Sequence, residues 1–377
     1  MKAMVITPYY YPIIGGLENY ARQLNRALHK SEAWEIVVVT ATKPGQPSGT
    51  GRTDGQRVYR LKPWVVVSNT PLNPLWPFQI WRLKRREMPD VIIAHTPVPS
   101  MADAAALAAG KTPFFVVYHA ASLLKPGSPI FNLLARLYRC VGWYTLHRAK
   151  HIFAVSDYVR EQFSTRFQAK TTVVSNAVWP DEIQSRSQPA GGTHFVFIGS
   201  LDKSHSWKGL GHILQALAIY QACYQPGARL TVIGDGNHRR SYENQVKVLG
   251  LADSVTFVGA KQGIAKARLL ASATALVAYP TTSNDAFPTV ILEAWAHHVP
   301  VIGAAIGPLP SLLKNQVNGY LAPAADPAAL AEAMRAVALA PRSQRANIAR
   351  QAARRTRECY TWPQSAKQLG RSIGVVT

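Results

Sequence analysis

Short apolar runs alternate along the chain with longer segments in which apolar residues recur every three to four positions. Ala3–Thr7 is apolar at successive positions, as a strand buried on both faces requires, and Gly15–His29 places Tyr20, Leu24 and Leu28 on one helical face. Glu35–Thr40, Val91–His95, Phe114–His119 and His151–Val155 repeat the strand pattern, with helix-like stretches such as Met101–Ala109 and Phe131–His147 between them. Strand and helix in alternation predict a parallel sheet covered on both faces. Thr171–Ser175 adds a strand, Asn176–Val178 a turn, and the polar stretch Asp181–Thr193 reads as a linker. A second series then begins: His194–Gly199, Leu230–Gly234, Val255–Val258, Ala275–Tyr279 and Val299–Gly303. The chain is therefore expected to be α/β, with two doubly wound domains in tandem and a boundary near residue 178. Such sheets bind ligands at the carboxyl ends of their strands, and two of them facing each other make a cleft.

The length of 377 residues agrees with two domains. Charge changes the picture more. Lys and Arg number 42 against 20 Asp and Glu, a net charge of +22. The excess runs through both halves and is not a basic tail. It calls for an anionic partner: nucleic acid, a membrane surface or a phosphorylated substrate. Cys140, Cys223 and Cys359 lie far apart, with no spacing for a disulfide framework or a structural zinc. No run of about 18 uncharged apolar residues predicts a membrane span. The opening MKAMVITPYY does not read as a signal peptide, so a cytoplasmic location is expected.

The segment with most chemistry is Ser283–Ala294, SNDAFPTVILEA. Pro288 precedes a helix beginning near Thr289, whose first free N–H groups and dipole suit a phosphate. Glu293, one turn further in, is placed to accept from ribose hydroxyls, and Asp285 to reach a sugar hydroxyl. Either acid alone reads better as an N-cap Asp or a solvated helix Glu; flanked by the AFP turn and by Val299–Gly303, the pair becomes specific. Gly15 and Gly16, after a Tyr- and Pro-rich approach, would let backbone come close to a diphosphate. Gly234-Asp235-Gly236 is a GxG that by itself reads as a turn. There is no DxD pair for a metal-bound diphosphate and no GxxxxGK[ST], so neither an essential divalent metal nor a P-loop ATPase is expected.

Taken in order, these segments resemble the retaining GT-B glycosyltransferases of family 4, the group 1 type. SNDAFPTVILEA is similar to the family's acidic-x7-Glu motif, with Asp285 where Glu is usual. Gly15-Gly16-Leu17-Glu18 resembles the GGxE loop, and Pro89 through His95 the PDVVHAH strand. Ala154-Val155-Ser156 and Val174 through Val178 resemble the landmarks closing the first domain; Gly199 through Gly209, GSLDKSHSWKG, resembles the GxL…KG loop. Phe257-Val258-Gly259 and Val317 through Leu321 fit as well. The resemblance implies two Rossmann-like domains, 1–178 for the acceptor and 179–360 for the nucleotide-sugar donor, with 361–377 crossing back to the first. It implies a retaining hexosyltransferase using GDP-mannose or a UDP-hexose on a lipid-linked or cell-surface polysaccharide intermediate, with no cofactor and no metal.

On that resemblance Lys208 faces the departing diphosphate, and His119 contacts the donor sugar. The catalytic set is then His119, Lys208 and Asp285. The donor set comprises Gly16, Ser200, Lys208, Gly234, Lys261, Asp285, Phe287, Pro288, Thr289, Val290 and Glu293, and the acceptor side Gly15, Gly16 and Glu18. Ser200 stands where the family carries Arg, leaving a charge to be supplied elsewhere, with Lys203 and His205 as candidates. His95 is a further candidate beside His119.

Pro74–Glu87, PLWPFQIWRLKRRE, mixes Trp and Phe with Arg and Lys, a composition that suits a membrane interface, although a helix packed on the sheet with a basic end explains it as well. With the net charge it points to a lipid-linked acceptor at the inner, anionic face of a membrane. The competing reading is a degenerate homologue that binds a nucleotide or glycan without turning it over. A nucleic-acid partner is not expected, since no such motif accompanies the charge.

Overall fold

The computed structural model describes residues 1–13, 15–31, 33–67, 69–123, 129–183 and 191–376. Most of the linker read at Asp181–Thr193 lies outside them.

In chain order the first unit contains β1 (Lys2–Thr7), α1 (Gly16–Lys30), β2 (Glu35–Ala41), β3 (Gly49–Thr53), β4 (Gln56–Leu61), the hairpin β5 (Val65–Val67) and β6 (Thr70–Leu72), and α2 (Trp76–Glu87). It continues through β7 (Val91–Thr96), α3 (Met101–Ala108), β8 (Phe114–Tyr118), α4 (Pro129–Arg148), β9 (His151–Ala154), α5 (Asp157–Glu161), α6 (Thr165–Gln168) and β10 (Thr171–Val173). The large sheet has the order β10-β9-β8-β7-β1-β2-β4-β3, parallel except where β3 meets β4. Its strands are apolar on both faces because helices cover both: Met4, Ile6, Val37, Val39, Ile92 and Val116 are buried in one continuous core with Trp76 and Ile80 of α2. α1 buries Tyr20, Leu24 and Leu28, the stripe predicted from spacing.

The second unit holds β11 (His194–Ile198), α7 (Leu210–Cys223), β12 (Arg229–Ile233), α8 (Arg239–Val248), β13 (Val255–Phe257), α9 (Gly263–Ala271) and β14 (Ala275–Ala278). α10 (Thr289–Ala296), β15 (Val301–Ala304), α11 (Leu309–Leu312), β16 (Tyr320–Ala322), α12 (Pro327–Leu339) and α13 (Arg342–Cys359) complete it. The sheet order β13-β12-β11-β14-β15-β16 is all parallel, the doubly wound order that reverses direction between its first and fourth strands.

The chain divides into Met1–Asn176 with Trp362–Thr377, and Ala177–Thr361. Val178 belongs to the second unit because its amide donates to the Tyr360 carbonyl at 3.0 Å. The last helix, α14 (Trp362–Val376), belongs to the first. Trp362, Ala366, Leu369 and Ile373 lie at helical spacing and are buried, with the Trp362 ring edge-on to Tyr20 of α1 at 5.5 Å. Among the described residues no helix is long and apolar enough to cross a membrane.

Candidate active site

In the second unit the strand order itself selects the place. Between β11 and β14 the connections leave in opposite directions, opening a crevice at the carboxyl ends of these strands. Two loops flank it: Gly199–Gly209 after β11, and the segment from Tyr279 to Pro288 after β14. Each leads into a helix N-terminus, α7 and α10, with no capping side chain on either. Free N–H groups and the positive end of the helix dipole therefore gather at this edge.

The loops are fastened to each other. Lys203–Lys208 forms a short 3-10 helix, and the Trp207 carbonyl accepts the Thr281 amide at 2.7 Å and the Thr281 hydroxyl at 3.3 Å. Gly209 has φ +79°, and a Cβ there would sit 1.9 Å from the Tyr279 carbonyl oxygen. This contact brings Lys208 beside Asp285. Burial pushes the Asp285 carboxyl upward, while the Lys208 ammonium, the Phe287 and Ala286 amides and His205 act against it. The Phe287 amide donates to Asp285 Oδ1 at 3.3 Å. The aspartate is thus tied to the turn that starts α10 and shares a field with the cation across the crevice.

Other residues singled out from sequence fall into different places. Thr289 and Val290 open α10, with Pro288 as N-cap. The Phe287 side chain is only 6% exposed and packs toward the Tyr360 ring at 6.0 Å, so this residue can offer its backbone to a ligand but not its ring. Glu293 Oε2 lies 2.8 Å from Lys266 Nζ of α9, a pairing that sequence did not reveal because nothing local links the two helices. Ser200 Oγ donates to Asp202 Oδ2 at 2.9 Å, shaping its own loop. Of the two candidates for the missing charge, His205 lies close enough to act on Asp285, whereas Lys203 is exposed. Lys261 is exposed beyond β13. Gly234 has a packing reason: at φ +159°, a Cβ would lie 1.8 Å from the Gly199 carbonyl oxygen, so the turn after β12 can close on the loop after β11 only without a side chain.

The first unit reverses direction between β1 and β7. The loop after β1 runs from Pro8 into α1. A Cβ on Gly15 would lie 2.1 Å from a Glu18 carboxylate oxygen, so Glu18 folds back over Gly15, while Gly16 faces open space. Burial pushes the Glu18 carboxyl upward. His119 follows β8, and its Nε2 is 2.8 Å from Nδ1 of His95 in β7, one ring donating and the other accepting. Tyr20 stands edge-on to both imidazoles, at 4.8 Å from His119 and 6.0 Å from His95, and its hydroxyl donates to the Val174 carbonyl at 2.7 Å.

Burial lowers the His95 pKa to about 3 and holds His119 well below its usual value. Both rings are therefore neutral at pH 7. The unfolded chain takes up protons near pH 6.5 and the native chain does not, so the pair's contribution to stability is complete above about 6.5 and is lost as pH falls toward about 3. The unfolding free energy from urea titrations should fall across that window, by roughly several kcal/mol. The decline should be blunted in a His95→Gln variant; equal profiles for the two proteins would overturn the assignment.

Comparisons with known proteins bear on this geometry. Residues 14–182 match the family described as Glycosyltransferase Family 4, and residues 192–339 match Glycosyl transferases group 1. The phosphatidyl-myo-inositol mannosyltransferase of Mycobacterium leprae is 23% identical over 338 residues, covering 89% of this chain and 86% of that protein. The 2-deoxystreptamine N-acetyl-D-glucosaminyltransferase of Streptomyces fradiae is 23% identical over 375 residues, covering 88% and 87%. Among solved structures, Anabaena HepE in complex with UDP superposes with a TM-score of 0.78 at 18% identity over the whole of both chains, a likeness of fold. The two doubly wound units and the two family matches, one on each, agree: the chain belongs to the family 4, group 1 glycosyltransferases of GT-B fold.

Proposed function

We propose that the protein transfers a hexosyl group from a nucleoside diphosphate sugar, GDP-mannose or a UDP-hexose, to an acceptor hydroxyl with retention of configuration. The observation that carries this reading is the meeting of Lys208, Asp285 and the start of α10 at the switch point of the second sheet. A diphosphate seated there takes the Lys208 ammonium and the first amides of α10. Glu293 accepts from the ribose hydroxyls, and Asp285 from a sugar hydroxyl. The bond between the anomeric carbon and the diphosphate oxygen breaks. The acceptor oxygen attacks from the same face, and its proton passes to the departing phosphate oxygen. Stabilising that leaving group supplies most of the rate. Lys208 provides the charge that a divalent cation provides in other transferases, so a chelator should leave the rate unchanged. The names of the relatives and of the HepE complex support both a hexosyl group and a uridine nucleotide.

The test is thermal stability against UDP, GDP, ADP and CMP, followed by their sugar conjugates. A nucleotide at a hundred times its dissociation constant stabilises by about 2.7 kcal/mol. One nucleotide should stand out, and Glu293→Ala should abolish its shift. NMR of the product then reports the anomer. Binding without turnover of any sugar conjugate would favour the degenerate homologue.

The acceptor is proposed to be lipid-linked and met at an anionic membrane surface on the cytoplasmic side. In support, Phe78 and Trp81 of α2 are 57% and 38% exposed, stack on each other at 5.8 Å, and sit under Arg82 and Arg85. On α4, Leu133, Leu137 and Val141 form an exposed apolar row at helical spacing. Flotation should recover the protein with vesicles containing anionic lipid and not with neutral ones. The double change Phe78→Ser, Trp81→Ser should lose this recovery while leaving nucleotide binding intact.

A further inference from the structure

The carboxyl edge of the first sheet carries a feature that the donor chemistry does not use. β4 runs parallel to β2 and ends at Leu61, on the edge that also holds the loop after β1 and His119. From there the chain passes through Lys62, Pro63 and Trp64 into the β5–β6 hairpin. Asn73 closes this excursion: its Nδ2 donates to the Lys62 carbonyl at 3.0 Å, and its Oδ1 accepts the Leu75 amide at 2.9 Å. The result is an open groove of 680 Å³ lined by Thr50, Arg60, Lys62, Trp64, Asn73 and Gln79 among others. That volume lies within the range of small-molecule sites, about 300–1,000 Å³.

Its lining has a definite chemistry. Trp64 is 67% exposed, so its indole is offered to solvent and not to the core. Lys62 is exposed, with no ion-pair partner for its ammonium among the described residues. Arg60 donates through Nη2 to the Tyr11 carbonyl at 2.9 Å and to Thr53 Oγ1 at 3.4 Å, leaving further N–H groups for a ligand. Gln79 Oε1 is buried without a hydrogen-bond partner. An aromatic plate beside two cations fits a pyranose ring carrying negative charge. The apolar face of the sugar stacks on the indole, and a carboxylate or phosphate takes the cations. The Arg60 bond to Tyr11 also ties the groove to the loop that leads to Gly15. Along the strand order β8-β7-β1-β2-β4 the groove is four strand spacings from His119, about 19 Å, too far for one sugar ring to touch both.

We propose that this groove is a remote acceptor subsite that holds an anionic sugar unit of the acceptor while a distant hydroxyl of the same molecule reaches the reacting centre. The inference rests on the transferase reading above and deepens it by naming the acceptor class. The test titrates the full chain with a tetrasaccharide of alternating glucuronate and N-acetylglucosamine, with neutral chitotetraose, and with phosphatidylglycerol vesicles, measuring UDP and GDP binding in parallel. The charged tetrasaccharide should bind at least about tenfold more tightly than chitotetraose. Trp64→Ala and Lys62→Glu, both on exposed side chains, should each weaken it by about tenfold or more and leave nucleotide binding unchanged. Absence of binding, equal affinity for the neutral sugar, or equal affinity in the variants would overturn the subsite. So would a loss in these variants of vesicle binding alone, which would assign the groove to a lipid headgroup. Failure of the unaltered chain to bind any nucleotide would instead bring down the transferase reading, and the two failures are read separately.

Discussion

Replacing Lys208 by alanine is expected to lower the transfer rate by about a hundred- to a thousand-fold, the usual effect of removing one group that stabilises charge in a transition state. Lys208 sits at the end of the 3-10 turn held to Thr281 through the Trp207 carbonyl, so its removal does not unfasten the loop. A second consequence separates its role from simple packing. Lys208 opposes the upward push of burial on the Asp285 carboxyl. Without the ammonium that carboxyl is protonated at higher pH, so the acid limb of the rate profile moves upward. Lys208→Arg keeps the charge and should restore that limb, even where the altered shape leaves the rate reduced. Rates in a pH series for the three proteins decide the matter. An unshifted acid limb in Lys208→Ala would disconnect the two residues.

A large effect on stability is expected at the next residue. Gly209→Ala places a Cβ 1.9 Å from the Tyr279 carbonyl oxygen, on a backbone with φ +79°. The left-handed conformation costs a residue with a side chain about 1–2 kcal/mol, and overpacking against fixed backbone adds about 1–3. The total, about 2–5 kcal/mol, should appear as a lower urea midpoint with an unchanged slope. Gly250→Ala is the control, since Gly250 has φ +69° and nothing within 4 Å of the added atom. It should show the conformational cost alone. Equal losses in the two variants would remove the packing argument for the Lys208 loop. Gly209→Ala should also weaken nucleotide binding, because the turn carrying Lys208 can no longer rest on the strand end that leads to Asp285.

The sites were legible to different depths. SNDAFPTVILEA announced a turn, a helix start and two acids because all three are local properties of a short segment. Lys208 was legible from its place before Gly209, although the sequence offers no spacing that relates it to Asp285. The partner of Glu293 was not legible: Lys266 belongs to another helix, and only packing of α9 near α10 brings its ammonium within 2.8 Å. His119 stood out at the end of an apolar strand. Its bond to His95 depends on β7 and β8 being neighbours in register, with His95 opposite Val117. Gly234 looked like a ligand-binding glycine and has a packing reason visible only when the two strand-end loops are placed together.

The sequence by itself determined the two series of strands and helices, since burial on both faces imprints continuous apolar runs on strands and a three-to-four spacing on helices. It also determined which residue types are available for phosphate, sugar and proton. Strands β3 to β6 escaped it: Gly49–Thr53 is polar and largely exposed, Gln56–Leu61 mixes Gln and two Arg with its apolar residues, and the three-residue strands of the hairpin are too short to carry a period. Tertiary structure alone decided strand order, and with it the switch points at β11/β14 and β1/β7 where the candidate groups collect. The reason is physical. Apolar pattern fixes what each segment buries, whereas the choice of neighbour is made by the packing of the whole sheet, and chemistry between distant residues exists only after that choice.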